Sequence, residues 1–428
     1  MNLHSLQQSE LKALKIKKGI ISGKFKELEK DSPEYEKQLL MMKEVSQRIK
    51  LLEFVIKESL NKKDPPREEK REFAFSLLNS DNNWKKPFNL SVHFIQDVSD
   101  WRDFVRNNPF SLPSHNPAWA SAIEKSFGHK TKLLCARDSN GQLLGGVPFT
   151  LFDSLLGRFA VSMPYLNYGG MVCEYFDISK ALMQKLAELR DELQLSHIEI
   201  RSIHPDLGEN PSTKKASMIL RLPESNEQLD KALGSKVRAQ YKKADEYRPE
   251  YKIGKIELLK DFYSVFSHNM RDLGTPVYSI NWFHNLLTNS DLDTRLLIVY
   301  VKQKPVSCAF LVNHGKLMEI PWASTIKAAN KYNANMWMYR QVLKFTIDQG
   351  CQYFDFGRST IDAGTFKFKK QWGAEPCQNY WYTILPAGAL KPELNPDNPK
   401  LKLFIFLWKL MPVWLTKIIG PMIIRNIP

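Results

Sequence analysis

The chain has 428 residues, 43% of them hydrophobic and 11% aromatic, enough to build the cores of two or three domains. Its net charge of +15 and isoelectric point near 9.3 point to a polyanionic partner: nucleic acid, an anionic membrane face or phosphorylated substrates. Five scattered cysteines (Cys135, Cys173, Cys308, Cys351 and Cys377), none in a Cys-x-x-Cys pair and none grouped with histidine, argue against a zinc site or a disulfide framework.

Residues 1–63 carry the spacing of a helical hairpin, a coiled-coil arm. Leu11, Leu14, Ile21, Phe25 and Leu28 form one seam, and Tyr35, Leu39, Met42, Val45, Ile49, Leu52 and Ile56 form the other. Ser32-Pro33 is the stop and restart between them, with Ser32 as cap and Pro33 at the first helical position. Lysines 12, 15, 17, 18, 24 and 26 coat the first helix, which suits either a solvated, oligomerising face or a grip on an RNA backbone. Met1–Lys18 has no apolar run of the secretory kind, so a cytoplasmic chain is expected. Residues 64–88 read as a linker.

A first mixed α/β unit is expected over 89–222. It has a helix capped by Asn116, a hairpin over Leu133–Thr150 turning at Asp138–Gly141, an aromatic strand end at Val161–Gly170 with Tyr165 and Tyr168, a helix over Asp177–Leu195 and a short strand at His197–Ser202. A second unit over 223–386 repeats that order: a hairpin over Arg295–Leu311, a strand over Lys316–Thr325 bearing Trp322, a helix over Asn335–Gln349 and a strand over Tyr353–Ser359. Ile198-Glu-Ile-Arg-Ser in one unit answers Phe354-Asp-Phe-Gly-Arg-Ser in the other, which argues for duplication and for a ligand cleft between the copies. Between them, a helix over Leu233–Ala244 places Lys236 and Arg238 where they could hold phosphate; a solvated helix face is the alternative.

The stretch Tyr353–Gly373 gathers the chemistry. Gly357 ends a buried strand and Arg358, Ser359 and Thr360 follow. From Gly364 the alternation predicts a further strand with Thr365, Lys367 and Lys369 on one face and Phe366 and Phe368 on the other. Asp355, Arg358, Lys367 and Lys369 at strand ends would serve an anionic or ester substrate; an edge strand with a solvated basic face is the alternative. Within the tail, 387–428, the stretch Leu401–Ile424 is strongly apolar. Lys409 near its middle, with Lys402, Lys417, Pro412 and Pro421, argues against a membrane span. A helix lying in the membrane interface and one docked on the core both remain open.

Ser235–Ala244, Met270–Ser279, Pro321–Ser324, Phe354–Thr360 and Gly364–Ala374 resemble the FemAB-like branch of the GNAT acetyltransferase superfamily, and in particular its exosortase- and exopolysaccharide-associated members. So do Asn116–Trp119, Ser162–Gly170 and Ile198–Arg201 in the first half. The likeness spans about residues 89–385. It implies an α+β protein with two tandem GNAT-like domains that transfers an acyl or aminoacyl group, in the best-known members from aminoacyl-tRNA, to an amine on an envelope or polysaccharide precursor. Aminolysis of an ester or thioester needs donors for the oxyanion and a group for the amine proton. Lys367 or Lys369 with Arg358 is expected to meet the anion and Asp355 to orient or accept the proton, with Lys236, Arg238, Tyr165, Tyr168, Trp322, Ser359, Thr360 and Thr365 binding substrate. Ala328–Asn335 stands where coenzyme A users carry a glycine-rich phosphate loop. It has no glycine, which tilts against coenzyme A and towards another activated ester or thioester donor; neither a cofactor nor a metal is expected. A non-catalytic scaffold and an RNA adaptor using the arm are the competing readings.

Overall fold

A computed structural model describes residues 3–25, 28, 32–60, 75–154, 157–389 and 399–428. The chain divides into two compact units, residues 1–73 and 74–428. In the first, α1 (Leu3–Lys24) and α2 (Pro33–Leu60) pair along a seam centred on Ile21, Val45 and Ile49. The Ser32 hydroxyl accepts the Tyr35 N–H at 3.2 Å, the capping bond its position called for. Leu39, assigned to the seam by spacing, is exposed instead.

The larger unit begins with an ordered lead-in: Phe75 is buried edge-on against Tyr168, and the Trp84 N–H donates to Asp177 at 2.8 Å. Then follow β1 (Phe88–Phe94), α3 (Trp101–Asn107), α4 (Pro117–Phe127), β2 (Thr131–Asp138), β3 (Leu143–Ser154), β4 (Gly157–Val161), β5 (Val172–Cys173), α5 (Phe176–Glu192), β6 (Ile198–Ser202) and β7 (Lys215–Arg221). The second copy comprises α6 (Asn226–Ala232), α7 (Ser235–Asp245), β8 (Glu250–Gly254), α8 (Leu259–Leu273), α9 (Ile280–Leu287), β9 (Asp293–Val301), β10 (Lys304–Asn313), β11 (Leu317–Thr325), α10 (Ala334–Asp348), β12 (Tyr353–Thr360), α11 (Gly364–Gln371), β13 (Glu375–Gln378) and β14 (Tyr380–Ile384). The chain closes with α12 (Pro399–Leu410) and α13 (Val413–Ile424).

The strands make two seven-stranded mixed sheets. One runs β1-β2-β3-β4-β6-β14 with β5 beside β3, and the other runs β13-β7-β12-β11-β10-β9-β8. The halves exchange strands. β7, which ends the first repeat, is hydrogen-bonded to β12 of the second sheet, and β14, from the end of the second repeat, is hydrogen-bonded to β6 of the first. Each sheet is thus completed by the other repeat, so the interface between them is built by backbone ladders as well as side chains. Among the described residues no helix is long and apolar enough to cross a membrane, and all five cysteines are free and buried.

The tail docks on the larger unit. Trp408 and Thr416 are buried, Arg271 donates to the Met411 carbonyl at 3.0 Å, and the Arg425 carbonyl accepts from the Tyr165 hydroxyl at 2.8 Å. Gly420 lets α13 touch the backbone of Val277, since a Cβ there would sit 2.8 Å from the Val277 nitrogen.

Candidate active site

β11 and β12 run parallel and are paired only where Leu317–Glu319 meets Tyr353–Asp355; beyond that point they part. On the other side of β12 the register against β7 slips between Asp355 and Arg358, a bulge centred on Gly357. Gly357 has φ +78°, a left-handed conformation that costs a side-chain-bearing residue about 1 kcal/mol or more. The Asp355 carboxylate holds the bulge, accepting the Gly357 N–H at 2.7 Å through Oδ1 and the Tyr168 hydroxyl at 2.9 Å through Oδ2. Asn167, from the first half, bridges the parting strands. Its Nδ2 donates to Glu319 on β11 at 2.8 Å, and its Oδ1 accepts the Arg358 N–H of β12 at 3.3 Å.

The segment after β12 is helix α11 and not the strand that alternation predicted. The run from Gly364 is too short to separate a period of two from a period of 3.6. At 100° per residue, Lys367 and Lys369 point nearly opposite ways instead of sharing a face. Phe366 and Lys369 turn inward, while Lys367 and Thr365 are exposed. Lys369 Nζ donates to the carbonyls of Gly357 at 2.9 Å and Arg358 at 3.0 Å, which leaves one of its three N–H bonds without a partner among the described residues. Burial lowers its pKa to about 8, against the opposing pull of Asp355. Burial, then the neighbouring Glu319 charge, raises Asp355 to about 7. The ammonium is therefore held at the bulge by two carbonyls and a nearby carboxyl.

Arg358 lies with its guanidinium 4.7 Å from the centre of the Trp381 ring, and Arg201 lies at the same distance from that ring. Arg201 is ion-paired to Glu199 at 2.9 Å, whereas the buried Nη1 of Arg358 has no hydrogen-bond partner among the described residues. Burial and the adjacent Arg201 charge pull Arg358 down to about 10. Glu199, Arg201 and Trp381 were missed as site residues, although the internal repeat contained the signal. Glu199-Ile-Arg201 answers Asp355-Phe-Gly-Arg358, and the one inserted residue is the bulge glycine. The strand exchange then brings Trp381 beside Arg201, with which it is paired in the ladder.

Asp355, Arg358, Lys369 and Tyr168 come together. Ser359 is buried next in the chain to Arg358, with no partner for its hydroxyl among the described residues. Thr360 is exposed at the strand end and accepts from Lys215 at 2.5 Å. Lys236 and Arg238 do not join the group. Val237 and Tyr241 of α7 pack in the cluster of Phe354 and Phe356, on the face of β12 opposite to Asp355. Lys236 is exposed there, and Arg238 donates to the Leu233 carbonyl at 2.5 Å, tying α7 to the end of α6. Tyr165, at φ +68°, and Trp322 belong to an aromatic cluster with Phe127, Tyr278 and Trp282, closed by the tail.

Residues 233–370 match the family model described as an acetyltransferase (GNAT) domain. No curated protein matches the sequence. A solved FemX structure is similar over 69% of this chain and 97% of its own, with a TM-score of 0.52 and 13% identity. The C-terminal domain of a putative lysylphosphatidylglycerol synthetase from Agrobacterium fabrum is similar over 68% of this chain and 93% of its own (TM-score 0.47, 11% identity). A tandem GNAT protein from the clavulanic acid biosynthesis pathway is similar over 71% of this chain and 100% of its own (TM-score 0.46, 10% identity). Residues 233–370 thus fit a GNAT acetyltransferase domain, and the fold of the larger unit is like that of FemX.

Proposed function

We propose that this chain transfers an acyl or aminoacyl group from an activated donor, an ester such as aminoacyl-tRNA or a thioester, to an amine on a cell-envelope or exopolysaccharide precursor in the cytoplasm. The observation that carries the reading is the Lys369 ammonium fixed at the β12 bulge on the Gly357 and Arg358 carbonyls, with the Arg358 Nη1 unpartnered among the described residues. A neutral amine attacks the donor carbonyl, the C–N bond forms, and negative charge grows on the carbonyl oxygen. The free N–H of Lys369 and Nη1 of Arg358 supply donors for that charge in a site of low dielectric. The tetrahedral species collapses by breaking the C–O or C–S bond, and the amine proton leaves with the departing group or with water. Asp355 is fully buried and accepts from Tyr168 and Gly357, so it acts as a positioning residue that shapes the bulge and, when ionised, favours the charged Lys369. No covalent enzyme intermediate is invoked.

The donor reading draws on two features. The Ala328–Asn335 segment offers no glycine for close approach to a pyrophosphate, and the Asn167 side chain fills the fork between β11 and β12. The test uses hydroxylamine as a surrogate amine, with bulk aminoacyl-tRNA or acetyl-coenzyme A as donor. Hydroxamate formation that depends on Lys369 is expected with the tRNA ester. Equal background rates with and without the protein, for every ester and thioester tried, would leave the scaffold reading in its place.

A further inference from the structure

The docked tail buries one face and leaves another open. On α12, Leu403, Phe406, Leu407 and Leu410 are exposed, and on α13, Trp414, Ile418 and Met422, each at 50% or more. They recur every three or four residues along both helices, while Trp408, Thr416, Gly420 and Ile424 face the body. Exposed large apolar side chains at this density call for a partner.

Charge selects among partners. Residues 399–428 contain five basic residues (Lys400, Lys402, Lys409, Lys417 and Arg425) and no acidic one. Lys402, Lys409 and Arg425 are exposed, and Lys417 lies over the Tyr263 ring. A two-fold contact between copies would set this all-cationic rim against itself. A bilayer rich in anionic lipid instead offers apolar depth for the stripe and negative headgroups for the rim.

We infer that α12 and α13 form a membrane-docking face, which lies in the interface of an anionic bilayer while its opposite side stays fixed to the protein core. The inference does not require the transfer reading. It adds that the Tyr165 cluster, closed by the Arg425 carbonyl, stands close to the lipid surface, so an acceptor borne on a lipid would be met there.

The experiment is flotation of the full chain with vesicles of phosphatidylcholine alone or with about one-third phosphatidylglycerol. The chain is expected to float with the anionic vesicles and to be released as salt rises. The triple variant Leu410→Glu, Trp414→Glu, Ile418→Glu should lose flotation while keeping its thermal midpoint, because all three side chains are exposed. Lys409→Ala should weaken partitioning about fivefold, and Leu77→Glu, exposed on the body, should change nothing. Wild-type chain remaining at the bottom of the gradient with both vesicles, or the triple variant floating as well as wild type, would overturn the inference. So would a dimer in light scattering that the triple variant dissociates. Hydroxamate formation from soluble donors should survive the triple variant, so failure of docking and failure of transfer are told apart.

Discussion

Replacing Lys369 by Met separates catalysis from folding. The side chain is 8% exposed and makes two hydrogen bonds, to the carbonyls of Gly357 and Arg358. Losing both costs about 2 kcal/mol at roughly 1 kcal/mol each, partly offset because Met spares the desolvation of a charge. The thermal midpoint should therefore fall by only a few degrees, of order 2–4 °C per kcal/mol. Loss of a donor to the developing oxyanion costs about 2.7–4 kcal/mol of transition-state stabilisation, or roughly 100- to 1000-fold in turnover. Turnover at saturating donor, read as hydroxamate, is measured beside thermal unfolding. Lys367→Met on the outward face of the same helix is the control, expected to leave both unchanged. If Lys369→Met loses activity only in proportion to its folded fraction, or if Lys367→Met loses as much, the assignment of Lys369 is refuted.

Because Lys369 must be charged to act and its pKa is lowered to about 8, turnover should fall as pH rises through that value. Lys369→Arg should move this alkaline limb upward. The raised Asp355 makes stability fall with pH as well, over a lower range. Between the ordinary carboxyl range and about 7, the folded chain keeps a proton that the unfolded chain releases. Stability conferred by this group is therefore lost as pH rises through that window, by up to about 1.4 kcal/mol per pH unit. Urea unfolding at a series of pH values should show that slope in wild type and not in Asp355→Asn. Gly357→Ala places a Cβ 3.1 Å from Asn167 Nδ2 at a left-handed φ, and should destabilise by about 1–3 kcal/mol in equilibrium unfolding and depress turnover with it. Arg238→Ala, on the far face of the sheet, should lower the thermal midpoint slightly and leave the KM for donor unchanged.

Much of the fold is legible in periodicity. Alternation and turn residues mark both hairpins: the Gly141 N–H bonds back to the Asp138 carbonyl at 3.1 Å, and Lys302 and Gln303 adopt positive φ at the other turn. Asn116 caps α4 as its place before Pro117 requires, accepting the Ala118 N–H at 3.0 Å. The repeat of acid, apolar residue, arginine and serine in both halves marks the two strands that meet at the site. These features are local: they depend on neighbours within a turn of helix or two strands of a hairpin, and the chain carries them wherever it folds.

What lies between distant segments was not legible. Nothing in Lys215–Arg221 or Tyr380–Ile384 says which sheet each strand joins, because a strand's edge is satisfied by any partner of matching register. Only the assembled body selects the exchange that sets Trp381 beside Arg201 and Arg358. Five alternating residues could not distinguish strand from helix in 364–371. Tertiary packing of Phe366 and Trp372 decided it, and with it which lysine reaches the bulge. By itself the sequence determined most of the elements, the repeated strand motif and the residue types gathered at the proposed site. The tertiary structure decided which of those charges lose their water, and burial is what turns Asp355, Arg358 and Lys369 from ordinary ionic groups into a poised set.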